Sequence, residues 1–247
     1  MELSDFFRDV PKAAMGLSGG TDSAYLLYAA KKLGADVRPY FIKTAFQPAF
    51  ELEDAKKLCE CTDGELSVLE LDILTVPRLA ENPQDRCYFC KTALFSVLKE
   101  RAKADGYDVV IDGTNASDEA SDRPGMRALT ELGVRSPLRE CGITKAMVRE
   151  FSAEAGLFTA DKPAYACLAT RVPTGEIITP EKLQKVERAE NALFEMGYAD
   201  FRVRLAGKAA RLQFKRADML RAVGEWDEIR RAVGKDFSAV AMDLKGR

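Results

Sequence analysis

The chain has 247 residues, 47% hydrophobic and 31% charged, enough for the core of one ordinary domain carrying a small appendage. It has no histidine and six cysteines, which excludes Ser-His and Cys-His nucleophile pairs, an imidazole base and any metal site with a histidine ligand. A net charge of −2 argues against a surface built to hold polyanions, and neither a membrane-length apolar run nor a signal-peptide start is present, so the expectation is a soluble cytoplasmic protein.

Strands and helices alternate through the first two thirds. An apolar run at 13–17 is predicted as a strand, and it meets the turn Ser18-Gly19-Gly20-Thr21-Asp22-Ser23. A helical pattern of Ala24, Leu26, Leu27, Ala30 and Leu33 follows and stops at Gly34. Next come a strand over 37–42, a helix over 48–61, a strand over 66–71, a helix over 91–104 and a strand over 109–112. This order predicts an α/β fold, a parallel sheet with helices on both faces. A polar loop spans 113–125, long enough to suggest function, and Thr144 is a candidate cap for a helix reaching Ala155.

Beyond an irregular stretch at 161–173, a helix is expected from Pro180 to Met196, then a hairpin over 201–214, helices over 217–223 and 226–233, and a strand over 238–242. A domain boundary is expected near 170, giving domains 1–170 and 171–247, the second small and α+β. Charge follows the division: 21 basic against 27 acidic residues before it, 16 against 12 after.

The turn at 18–23 joins a strand to a helix. Two glycines let the backbone approach an anion, Ser18, Thr21 and Ser23 supply hydroxyls, and the helix start adds partial positive charge. It is neither a Walker loop nor a dinucleotide fingerprint. SGGTDS resembles the pyrophosphate (PP) loop of the N-type ATP pyrophosphatases. That resemblance implies a Rossmann-like sheet binding ATP with magnesium, and attack on the α-phosphorus to release pyrophosphate. Such adenylation works by positioning and charge stabilisation and needs no imidazole. Asp22 is a candidate magnesium ligand or a helix cap, two roles the sequence does not separate.

Cys87 and Cys90 form a C-x-x-C pair able to hold a metal or act as a redox dithiol. Cys167 stands in the segment PAYACLATR, where Arg171 would lower its pKa if the fold brings the guanidinium near. Cys59, Cys61 and Cys141 are expected to pack. Taken together, the phosphate loop, RCYFCK, DGTNASDEASDRPGMRALTELGVRSPL, PAYACLATR and Arg202-Val203-Arg204 resemble the LarE family of ATP-dependent sulfur transferases along nearly the whole chain.

That resemblance implies adenylation of pyridinium-3,5-biscarboxylic acid mononucleotide and displacement of AMP by sulfur, giving the thiocarboxylate of a nickel-pincer cofactor. Two sulfur sources occur in the family. In one, Cys87, Cys90 and Cys167 hold a [4Fe-4S] cluster with an open position for sulfide; in the other, the cysteine at the place of Cys167 gives up its own sulfur. Three thiols without histidine favour the cluster.

The resemblance also implies a second nucleotide-facing loop over 112–123, including Gly113, Asp118, Asp122 and Arg123, and a substrate-phosphate pair in Arg202 and Arg204. Glu190 is carried over as an active-site or metal carboxylate, with an ordinary exposed helix position as the alternative. The family often has a histidine after the arginines, where this chain has Leu205-Ala206-Gly207. A homo-oligomer is implied, and the sulfide donor is left unnamed. The rival readings are tRNA thiolation, against which the acidic balance argues, an ammonia-using amide synthase, and a regulator with structural zinc.

Overall fold

A computed structural model describes residues 1–118 and 124–247. Asp122 and Arg123 therefore lie outside the described residues. The chain divides into two compact units, Met1–Ile73 with Asp85–Lys162, and Leu74–Gln84 with Pro163–Arg247.

The first unit holds four parallel strands in the order β3-β2-β1-β4: β1 Lys12–Gly16, β2 Asp36–Lys43, β3 Ser67–Glu70 and β4 Val110–Ile111. Successive side chains leave opposite faces of a strand. Ala13 and Met15 of β1 accordingly pack with Leu26, Leu27 and Ala30 of α2 (Thr21–Lys32), while Ala14 packs with Leu98 and Ala102 on the other face. Both faces are covered, as the alternation of strands and helices requires. Two more helices of this unit are α3 (Ala49–Cys61) and α4 (Arg86–Ala104).

The chain also opens with a short helix that the sequence reading missed, α1 (Leu3–Asp9). Leu3, Phe6 and Phe7 are buried, and Glu2 and Asp5 form a capping box. Helices α5 (Pro124–Glu131), α6 (Pro137–Glu140) and α7 (Lys145–Glu154) complete the unit, and Thr144 caps α7 as expected, accepting from the Met147 amide at 3.4 Å. The strand order matters for function. The chain leaves β1 toward β2 on one side and meets β4 on the other, so the ends of β1 and β4 form the topological switch point where open α/β sheets bind ligands.

In the second unit α8 (Pro180–Glu195), α9 (Arg216–Gly224) and α10 (Trp226–Val233) accompany a sheet ordered β5-β6-β7. Strands β5 (Phe201–Ala206) and β6 (Ala209–Phe214) are the expected hairpin, and β7 (Val240–Met242) adds in parallel. Its core is Leu193, Phe201, Val203, Leu212, Phe214 and Ile229. The stretch 74–84 joins this unit through Asn82, which is fully buried and donates from Nδ2 to the carbonyls of Val172 (3.2 Å) and Pro173 (2.8 Å).

Candidate functional site

The phosphate loop lies at the switch point of the first unit. Gly19 has φ +71°, and a Cβ there would come within 2.7 Å of the Glu51 carbonyl oxygen of α3, so only glycine suits this position. Ser18 and Ser23 hydroxyls lie 3.1 Å apart, and Ser23 donates to the Gly20 carbonyl. The first turn of α2 then offers amides that have no carbonyl within the helix, with the positive end of its dipole behind them.

Beside the loop is a cavity of about 300 Å³ lined by Gly16, Ser18, Asp22 and Ser23 on one side and by Asp112, Gly113, Thr114 and Asp118 on the other, with Lys91, Leu94 and Phe95 from α4. Gly113 packs against α2 so closely that a Cβ would lie 2.9 Å from the Ser23 amide nitrogen. The loops after β1 and β4 thus form one concave wall.

Asp22 is neither a cap nor an open carboxylate. Gly20 is the N-cap residue, and Asp22 accepts from Lys145 Nζ at 2.7 Å and Asn115 Nδ2 at 3.3 Å. Thr21 is also turned away from the expected role: its buried hydroxyl donates to the Thr159 carbonyl at 2.8 Å. Asp112 is buried and accepts from the hydroxyls of Thr114 and Ser136, which shape the second loop.

Helix α4 begins at Arg86 rather than Lys91, which places both cysteines of the C-x-x-C pair in its opening turns. The consequence is directional. Cys87, Cys90 and Lys91, then Leu94, Phe95 and Leu98, follow the three- and four-residue spacing of a single helical face. That face lines the cavity with Lys91, Leu94 and Phe95. Lys91, with Nζ 3.9 Å from Asp112, and Lys145 are cations the sequence reading missed. The signal for Lys91 was its place four residues after Cys87.

Cys167 belongs to the second unit, half-buried, at the start of a 3₁₀ turn over Leu168–Arg171. Its carbonyl accepts from the amide and hydroxyl of Thr170 at 3.0 and 2.8 Å. Three arginines grip the backbone around it. Arg202 donates to the Ala164 carbonyl, Arg171 to that of Ala166 at 3.2 Å and Arg204 to that of Thr170 at 2.6 Å.

Asp200 lies 3.8 Å from Arg202, and a second carboxylate reaches deeper among them. Glu190 is not exposed but buried on α8, accepting from Arg171 Nε and Nη2 at 2.7 and 3.1 Å, from the Val203 amide at 2.9 Å and from the Tyr165 hydroxyl. The spacing of Leu183, Val186, Glu190 and Leu193 already puts Glu190 on the buried stripe, a signal the sequence reading passed over. Burial, followed by the nearby Arg171 charge, pushes the Arg202 guanidinium down to about 10, and the same two causes lower Arg204. Burial and the Glu190 charge raise the Tyr165 phenol well above its ordinary value.

None of the six cysteines is in a disulfide. Among the described residues, no three cysteine or carboxylate side chains are gathered as a metal site. Of the cysteines expected to pack, Cys59 is buried, Cys141 half-buried and Cys61 exposed. Burial pushes the Cys59 thiol up to about 11 and raises Cys141 as well. Brief alkylation at about pH 8, near the ordinary thiol value, should therefore label Cys61 and Cys87 first and Cys59 last. Peptide mapping checks the order, and early labelling of Cys59 would contradict its burial on the inner face of α3.

No helix is long and apolar enough to cross a membrane among the described residues. No family model matches the chain. It is 40% identical over 215 residues to an uncharacterized protein of Synechocystis sp., covering 85% of this chain and 79% of that one. It is 30% identical over 246 residues to the pyridinium-3,5-bisthiocarboxylic acid mononucleotide synthase of Lactiplantibacillus plantarum, covering 97% of this chain and 88% of that protein. A shorter likeness, 28% over 111 residues, relates 43% of the chain to 36% of a tRNA-5-methyluridine(54) 2-sulfurtransferase of Pyrococcus horikoshii. Likeness to the synthase along almost the whole of both chains shows that this protein belongs to the LarE family, within the PP-loop ATP-dependent sulfur transferases.

Proposed function

We propose that the chain uses ATP to convert the carboxylates of pyridinium-3,5-biscarboxylic acid mononucleotide to thiocarboxylates. The observation that carries this reading is the near full-length likeness to a synthase of that name. The phosphate loop supports the first half-reaction. A substrate carboxylate oxygen attacks the α-phosphorus, the bond to the bridging oxygen breaks, and pyrophosphate leaves. Amides of the first turn of α2 and the Ser18 hydroxyl stabilise the charge that develops on the phosphates. Magnesium would travel with ATP, with Asp22 the loop carboxylate for it once Lys145 turns toward a phosphate.

In the second half-reaction a sulfur nucleophile attacks the acyl carbon, the carbon–oxygen bond to AMP breaks, and AMP leaves with the electron pair. Three thiols without imidazole are a soft donor set of the kind an iron–sulfur cluster takes, and Cys87 and Cys90 share one helical face. Cys87, Cys90 and Cys167 would hold the [4Fe-4S] cluster, which when bound supplies the sulfide. The second domain would carry the substrate phosphate on Arg202 and Arg204 and serve oligomerisation. A guanidinium has five N–H donors, so the backbone bonds described above exhaust neither arginine.

A single turnover with ATP and the biscarboxylic mononucleotide under anaerobic conditions, followed by mass spectrometry of protein and products, tests this. AMP, pyrophosphate, thiocarboxylate and an unchanged protein mass are expected. Absence of thiocarboxylate would reject the substrate. A protein lighter by the elements of hydrogen sulfide would move the sulfur source to Cys167 itself.

The wall formed by the two loops gives a further expectation. Gly113→Ala forces a methyl against the Ser23 backbone and should weaken ATP binding by about tenfold or more, since overpacking costs about 1–3 kcal/mol. Titration calorimetry with ATP measures it, and unaltered affinity would show that the loop after β4 plays no part in holding the nucleotide.

A further inference from the structure

A short turn that none of the chemistry above uses holds the phosphate loop. The Thr159 carbonyl accepts from the Thr21 hydroxyl, and Lys162 donates from Nζ to the Gly19 carbonyl at 3.1 Å and to the Asp54 carboxylate of α3. The turn is anchored in its own right. Arg149 of α7 donates to the carbonyls of Ala160 (2.6 Å) and Lys162 (3.0 Å). Lys162 and Asp54 are both half-buried, with side chains 21% and 25% exposed. Neither lines the cavity beside the loop, whereas Ser18, Asp22 and Ser23 do.

The contact at Gly19 has a specific consequence. The Gly19 carbonyl and the Gly20 amide belong to one planar trans peptide and point in opposite directions. Between two glycines that peptide is the one in the loop freest to flip, because neither residue has a Cβ to oppose it. Pinning the Gly19 oxygen toward Lys162 aims the Gly20 N–H the other way, and it meets the Ser18 hydroxyl at a long 3.4 Å. Ser18 is on the cavity wall. We propose that Lys162 is a positioning residue for ATP. It selects the orientation of the Gly19–Gly20 peptide that presents an amide donor to the phosphates, and Asp54 holds the lysine in place to do so.

The proposal rests on the phosphate loop binding ATP, and it is tested by ATP binding to the full chain, with no need of the second substrate. Lys162→Met should weaken ATP binding about tenfold or more, the loss of a hydrogen bond from a charged donor. Lys162→Arg keeps donors to both oxygens and should recover most of that loss. Asp54→Asn should weaken binding as well, and the double variant Asp54→Asn, Lys162→Met should bind no worse than Lys162→Met, because the two act as one unit. A lysine that instead touched a phosphate directly would be released by Asp54→Asn, and ATP would bind more tightly.

Tighter binding by Asp54→Asn therefore overturns the proposal, as does unchanged affinity in Lys162→Met. A merely structural role would lower the melting temperature without nucleotide and leave the affinity of the folded fraction unchanged, which also overturns it. A wild-type chain that binds no ATP refutes the phosphate-loop reading and this proposal together. Should Lys162→Met fail to fold, the sign of the Asp54→Asn effect decides alone.

Discussion

Glu190→Gln should destabilise the protein by about 3–5 kcal/mol, the usual cost of removing one partner of a buried ion pair. Arg171 is fully buried and Glu190 is 1% exposed, so water cannot replace the lost charge. Glutamine preserves the shape but offers only one carbonyl oxygen to the Arg171 guanidinium, the Val203 amide and the Tyr165 hydroxyl. The guanidinium of Arg202, already disfavoured by burial, loses one of its two nearby counter-charges and keeps Asp200 at 3.8 Å. Denaturation followed through the single tryptophan, Trp226, which packs on the second unit's core, reads the effect directly. Glu195→Gln at the exposed end of the same helix is the control, expected within about 0.5 kcal/mol of wild type. A loss below about 1 kcal/mol for Glu190→Gln would mean that the pair is open to water. Converting both partners, Arg171→Met with Glu190→Leu, should recover part of the loss, because no charge is then left buried alone.

Cys167→Ser and Cys87→Ser should each reduce thiocarboxylate formation by roughly a thousandfold or more, on the scale of losing a member of a catalytic unit. Adenylation needs neither thiol, so ATP-dependent pyrophosphate release should continue in both variants. Separate assays of pyrophosphate and thiocarboxylate make the comparison. Cys59→Ser is the reference, because that thiol is buried in the core on the inner face of α3 and has no part in the proposed chemistry. If Cys87→Ser stays active while Cys167→Ser is dead, the sulfur comes from Cys167 and the three-thiol reading falls. If both stay active, neither source is correct.

Much of the fold was legible because it depends on local pattern. The strand–turn–helix at 13–33, the cap at Thr144, the Pro180 helix and the 201–214 hairpin are each specified by side-chain periodicity and turn chemistry within about 20 residues. The start of α4 was missed although its N-cap residue, Asp85, is of a type that begins helices; the side chain makes no cap bond, so the end is set by packing rather than by the cap. For α1 only seven residues carry the pattern, too few for a helical period to stand out. Glu190 was misjudged for a different reason. A carboxylate is ordinarily exposed, and its partner Arg171 lies 19 residues away in an irregular segment.

The sequence by itself carried the resemblance to the PP-loop sulfur transferases, because the motifs that make it, SGGTDS, RCYFCK and PAYACLATR, are each contiguous in the chain. Only the tertiary structure decided how those groups are held. Thr21 reaches a carbonyl 138 residues away, Lys162 an oxygen 143 residues away, and Lys145 turns to Asp22 across 123. Periodicity says which face a side chain leaves from, but not which distant face it will meet. Those pairings form only when the hydrophobic faces of the sheet and its helices are buried together.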